Sequence, residues 1–88
     1  MYHVEFTEKA LKALKKLDRY TVLFITAWVR KNLEGCTNPR QYGKPLVGDK
    51  SGQWRYRVGD YRLLADIQDE RVIILILNVG HRRDIYRD

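Results

Sequence analysis

Little in this chain of 88 residues can cross-link it or hold a metal. Cys36 is its only cysteine, which excludes a disulfide within one copy and fits a reducing, cytoplasmic setting. With His3 and His81 as the only histidines, no metal-ligand spacing is present, and neither metal nor cofactor is expected. Long apolar runs are missing too. The longest, Val72 to Leu77, falls far short of the roughly 20 residues that cross a bilayer. The N-terminus opens on alternating strand-like residues without a signal-peptide core, so a soluble protein with no membrane partner and no secretory route is expected. Acidic residues are the scarcer charge: 11 Asp and Glu against 17 Lys and Arg leave a formal net charge of +6, which favours nucleic acid or an acidic protein as partner. No Ser-His-Asp or Cys-His set, phosphate-binding glycine loop or carboxylate pair stands out.

Proline and glycine are sparse outside one region. Pro39, Pro45, Gly35, Gly43, Gly48 and Gly52 crowd into 35–52, predicting a long loop, with Lys44 and Lys50 in it. The rest is patterned for regular structure. Tyr2, Val4 and Phe6 alternate with His3 and Glu5 as a first strand, and Thr7 is placed to cap a helix over Glu8 to Leu17. Ala10, Leu11, Leu14 and Leu17 form its apolar stripe, leaving Lys9, Lys12, Lys15 and Lys16 as a basic strip: a solvated face or a nucleic-acid contact. A second helix, Thr21 to Glu34, carries Val22, Ile25, Val29 and Leu33 on one side and closes at Gly35. After the loop come strands over Trp54 to Val58, Tyr61 to Ile67 and Val72 to Val79, the last apolar enough for the sheet centre. The expected architecture is a single α+β domain, β-α-α-β-β-β, with a helical hairpin over one face of a small, mainly antiparallel sheet. The other face is left as the floor of a cleft or for a partner to cover.

The richest segment is Gln53 to Arg62, QWRYRVGDYR. Gly59-Asp60 suits a two-residue turn of type II′, which sets Val58 opposite Tyr61, Arg57 opposite Arg62, Tyr56 opposite Leu63 and Arg55 opposite Leu64. Like charges directly opposed destabilise a hairpin by an amount comparable to the ~0.2–1 kcal/mol of a favourable pair, so folding alone gives no reason for Arg57 to face Arg62. A bound phosphate supplies one. The alternative is that both guanidiniums reach solvent or pair with Asp66, Asp69 or Glu70.

The tail from Gly80, GHRRDIYRD, adds an imidazole, guanidiniums and a phenol, with Gly80 expected to close the last strand and release His81. Each has a plain reading: His81, Arg82 and Arg83 as surface groups, Tyr86 as a lid on the core. Together with Arg55, Arg57 and Arg62 they make a site with phosphate clamps, a proton carrier and a ring for stacking, which suits single-stranded RNA. Without metal, such a site can assist attack of a ribose 2′-hydroxyl on its own phosphate, the arginines stabilising the phosphorane charge.

The pieces Leu46-Val47-Gly48, WRYRVGDYRLLADI from Trp54, the apolar strand and GHRRDIY from Gly80 resemble the RelE toxins of the RelE/ParE superfamily, over nearly the whole chain. The resemblance implies a prokaryotic type II toxin that enters the ribosomal A site and cleaves the bound mRNA. Its partners would be a RelB-like antitoxin that wraps around it, the ribosome and mRNA, with operator DNA reached only through the antitoxin complex. It also implies roles. Arg55 and Arg57 match basic strand positions, Arg62 a phosphate-clamping arginine, Arg82 an active-site arginine and Tyr86 a base-stacking tyrosine. The best-studied member has lysines where this chain has Arg55 and Arg57, and a guanidinium does not release a proton. His81 becomes the candidate base, beside catalytic Arg57, Arg62, Arg82 and Tyr86. Arg55, Lys44, Lys50, Arg83, Lys9, Lys12 and Lys16 are the expected RNA contacts. A ParE-like inhibitor of DNA gyrase without nuclease activity is the competing expectation.

Overall fold

The computed structural model describes residues 1–48 and 52–84, so Lys50 and Tyr86 lie outside the described residues. Along the chain run β1 (His3–Phe6), α1 (Glu8–Lys15), α2 (Arg19–Asn32), a 3-10 turn (Pro39–Gln41), β2 (Lys44–Pro45), β3 (Trp54–Val58), β4 (Tyr61–Gln68) and β5 (Ile73–His81). The class is α+β, in the expected order with β2 added.

Thr7 caps α1 as its sequence position implies. Its hydroxyl oxygen accepts the Ala10 N–H at 3.1 Å and donates to the Leu77 carbonyl at 3.0 Å, which ties the start of the helix to β5. Ala10 and Leu14 are buried, but Leu11 is 47% exposed, because one residue beyond Ala10 the helix has turned by about 100°. The helix ends at Lys15, short of the expected Leu17. α2 starts earlier than Thr21, since the Asp18 carboxylate accepts the Thr21 N–H at 3.2 Å and caps from there. It closes at Asn32, and Gly35 then takes φ 78 and donates its N–H to the Tyr2 carbonyl at 2.8 Å.

The sheet order is β1-β5-β4-β3-β2, with β1 parallel to β5 and the other pairs antiparallel. The apolar β5 is interior, one strand off the middle. The β3–β4 register follows from the turn: Gly59 has φ 61, and Arg57 faces Arg62. Alternation, with a register shift at Leu64/Ala65 that skips Leu77 on β5, sends Tyr56, Val58, Leu63, Ala65, Ile74, Ile76 and Val79 to one face, where they meet Ala10, Leu14, Ile25, Val29 and Leu33.

The expected structureless loop is partly ordered. Tyr56 donates its hydroxyl to the Pro39 carbonyl at 2.7 Å, Trp54 its indole N–H to the Tyr42 carbonyl at 2.7 Å, and Trp28 packs edgewise on Tyr42. These contacts seat β2 on the edge of the sheet, where a proline is tolerated.

A three-way link closes the far end. Asp69 accepts both Arg40 guanidinium N–H groups at 3.0 Å and the Tyr2 hydroxyl at 2.6 Å. The Arg40 bonds, then that of Tyr2, hold the Asp69 carboxyl below its usual range. A depressed carboxyl stabilises the fold above its unfolded value and loses that contribution as pH falls through the folded one. Stability curves of the wild type and Asp69→Asn against pH should therefore differ at neutrality and converge below about pH 4. A gap that stays constant into acid would contradict the link.

Candidate nucleic-acid interface

Directly opposed residues of antiparallel strands share a face. Arg57, Arg62 and Gly80 form one such row across β3, β4 and β5, on the face away from the helices. Gly80 brings no side chain to the row. Lys44 faces Arg55, which faces Leu64, so Lys44 and Arg55 extend the same basic face. Arg62 donates to the Gly59 carbonyl at 3.2 Å and the Tyr61 carbonyl at 3.1 Å, which folds its guanidinium back over the turn. Arg57 is exposed and has no ion pair among the described residues. Of the acids considered as its partners, Asp69 is taken by Arg40 and Asp66 accepts from Gln68 at 3.0 Å.

Gly80 does not end the strand as its sequence position suggests. The ladder continues, pairing Arg62 with Gly80 and Tyr61 with His81. One step of alternation puts His81 and Tyr61 on the helix side, the opposite face from Arg57 and Arg62. Their rings meet at 5.6 Å and 81°. His81 Nδ1 accepts the Arg83 N–H at 3.2 Å, so in the neutral ring the proton sits on Nε2. Arg82 donates its backbone N–H to the Asp60 carbonyl at 2.8 Å, and its Nε lies 4.0 Å from the Asp60 carboxylate. Arg82 is thus docked on the hairpin tip, with the arginine row above the sheet end and the Tyr61–His81 pair below it.

Between α1 and that lower side lies a groove of about 730 Å³. Lys9, Lys12 and Lys16 form one wall, Tyr61 and His81 the other. Glu8 and Asp84 are its acidic members, Glu8 lying 3.6 Å from Lys12. The basic strip of α1 and the tail histidine, separate in sequence, share this cleft. Tyr61 was not among the sequence candidates, although its alternation with Arg62 marks it as the residue on the other face. At the opposite end of β4, Asp66, Asp69 and Glu70 gather around the β4–β5 turn. Among the described residues no group of side chains can hold a metal ion, and no helix is long and apolar enough to cross a membrane.

The family model described as ParE toxin of type II toxin-antitoxin system, parDE, matches residues 4–86. Toxin RelG of Mycobacterium tuberculosis is 38% identical over 86 residues, covering 98% of this chain and 97% of its own. Toxin RelE of the same organism is 33% identical over 86 residues, covering 98% and 87%. Among solved structures, a chain of the toxin-antitoxin complex RelBE2 from Mycobacterium tuberculosis superposes with a TM-score of 0.84 at 36% identity, over 94% of this chain and 93% of that one. The isolated Escherichia coli RelE toxin shares the fold, with a TM-score of 0.70 at 23% identity over 92% and 84%.

Proposed function

This chain belongs to the ParE toxin family of type II toxin-antitoxin systems, within the RelE/ParE superfamily, and on that premise we propose that it is a RelE-like endoribonuclease that cuts mRNA in the ribosomal A site. In the reaction the 2′-hydroxyl gives up its proton as its oxygen attacks the adjacent phosphorus, and the bond to the 5′-oxygen breaks with that oxygen taking up a proton, leaving a cyclic phosphate and a 5′-hydroxyl. The observation that carries the reading is the opposed Arg57–Arg62 pair beside a side-chain-free Gly80. Two guanidiniums on one patch favour a phosphorane over the less charged ground state. Arg82, held at the hairpin tip, is the third cation of the set, and Arg55 and Lys44 carry the strand toward it. Lys9, Lys12, Lys16 and Arg83 serve as further RNA contacts, as do Lys50 and Tyr86 by the family resemblance. A RelB-like antitoxin is its partner, by analogy with the toxin-antitoxin complexes that share its fold.

His81 enters this reading as a donor. With Nδ1 occupied by the Arg83 N–H, Nε2–H is the group it offers. His81→Ala should slow cleavage by roughly 10- to 100-fold, whereas His81→Gln, whose amide N–H replaces Nε2–H, should stay within about tenfold of wild type. Equal loss in both would make His81 a proton carrier.

Mapping of cuts on programmed ribosomes tests the whole. Cuts confined to the A-site codon, with free RNA almost untouched, are expected; efficient cutting of naked RNA would overturn ribosome dependence. The ParE description of the matched family favours a second reading, inhibition of DNA gyrase. Loss of supercoiling activity on adding the protein, with mRNA intact, would establish that instead.

A further inference from the structure

We propose that the groove between α1 and the ends of β4 and β5 is a subsite for one unstacked nucleotide of single-stranded RNA, its base held by Tyr61 and His81 and its phosphate by the lysines of α1. This rests on the ribonuclease reading and deepens it, separating a flanking-nucleotide subsite from the arginine row that faces the scissile phosphate.

Three observations converge on it. The first is the aromatic corner: rings 5.6 Å apart at 81° give a base one surface to stack on while the second ring meets it edge-on. A packing role alone needs no such corner on a groove wall, and both rings are half-exposed. The second is polarity. Because the Arg83 N–H fills His81 Nδ1, Nε2–H is left to donate to an acceptor on the base or ribose. The third is charge. Lys9, Lys12 and Lys16 follow each other at i, i+3 and i+7, a strip rising about 10 Å along the helix opposite the rings. Glu8 is drawn to Lys12 and Asp84 stands at the tail, so the lysines outnumber the acids in the groove. A volume of about 730 Å³ admits a nucleotide, and a base already stacked within a duplex is not free to enter.

The test uses a fluorescent hexamer of 2′-O-methyl RNA, which lacks the nucleophile and reports binding without cleavage. Tyr61→Leu should weaken binding about tenfold, and Tyr61→Phe should stay within about twofold of wild type. Replacing Lys9, Lys12 and Lys16 together by Gln should lower the slope of log affinity against log salt by about 2. These lysines are exposed, so that variant remains decisive if Tyr61→Leu fails to fold. Wild-type protein that does not bind the hexamer, or binding indifferent to the lysine replacement, would overturn the subsite. Binding that responds as expected in a protein that never cuts mRNA on ribosomes would overturn the nuclease reading and leave the subsite standing. Cleavage on ribosomes with hexamer binding unmoved by either variant would do the reverse.

Discussion

Arg62→Ala is expected to lower mRNA cleavage on programmed ribosomes by about 100- to 1,000-fold, the range seen when one preorganised donor to a developing anion is removed. Stability should hardly move. Among its interactions the guanidinium makes two hydrogen bonds to backbone carbonyls, an exposed one to Gly59 at 3.2 Å and a part-buried one to Tyr61 at 3.1 Å. Against their loss stands relief of the repulsion from Arg57, directly opposite. Each contribution is about 1 kcal/mol or less, so they nearly cancel. The diagnostic result is thus a collapse of activity with an unchanged melting temperature. A fall in both would mean that Arg62 supports the hairpin and not the reaction. Arg57→Ala should behave alike, and on the proposed reading, in which the pair acts on one phosphate, the double variant should lose little more than either single one.

Gly43→Ala should be the most damaging small substitution for the fold. Gly43 has φ 80, and a methyl there would overlap the Arg55 carbonyl oxygen and lie 2.7 Å from Trp54 Nε1. Both obstacles belong to β3, and the indole is pinned to the Tyr42 carbonyl at 2.7 Å, so neither yields without disturbing the sheet. Left-handed strain of about 1–2 kcal/mol and overpacking of about 1–3 kcal/mol together take a large share of a small domain's stability. A melting temperature lower by more than about 10 °C is expected by calorimetry. Gly35→Ala is the internal control: φ is 78, but nothing lies within 4 Å of the added carbon, so only the strain should register. Equal losses in the two would show that the close approach at Gly43 is immaterial.

What the sequence made legible was local. The β3–β4 register needed only Gly59-Asp60 and alternation, and Thr7 and the apolar spacing announced α1. Cues that act over a distance were not readable. β2 is two residues long and contains proline, so its pairing depends on Trp54 and Tyr56 gripping the segment before it. Gly80 punctuates the sequence, yet β5 runs on to His81 because Tyr61 stands opposite to receive it. The arginine row could be placed by counting from a turn. The lysine groove could not, since it arises where α1 lies across β5, some seventy residues on, as the Thr7–Leu77 hydrogen bond illustrates.

The acidic residues around the β4–β5 turn give the molecule a direction. β4 spans Tyr61–Gln68, roughly 25 Å at the usual rise, with Arg57, Arg62 and Arg82 around Asp60 at one end and Asp66, Asp69 and Glu70, with Arg40 and Arg71 among them, at the other. An excess charge of +6 alone draws the protein toward a polyanion without choosing which way round it arrives. A cationic surplus at the hairpin end and a small acidic surplus at the other favour a hairpin-first approach to a polyanion. Alignment then belongs to the encounter itself, and fewer collisions are spent on the wrong face.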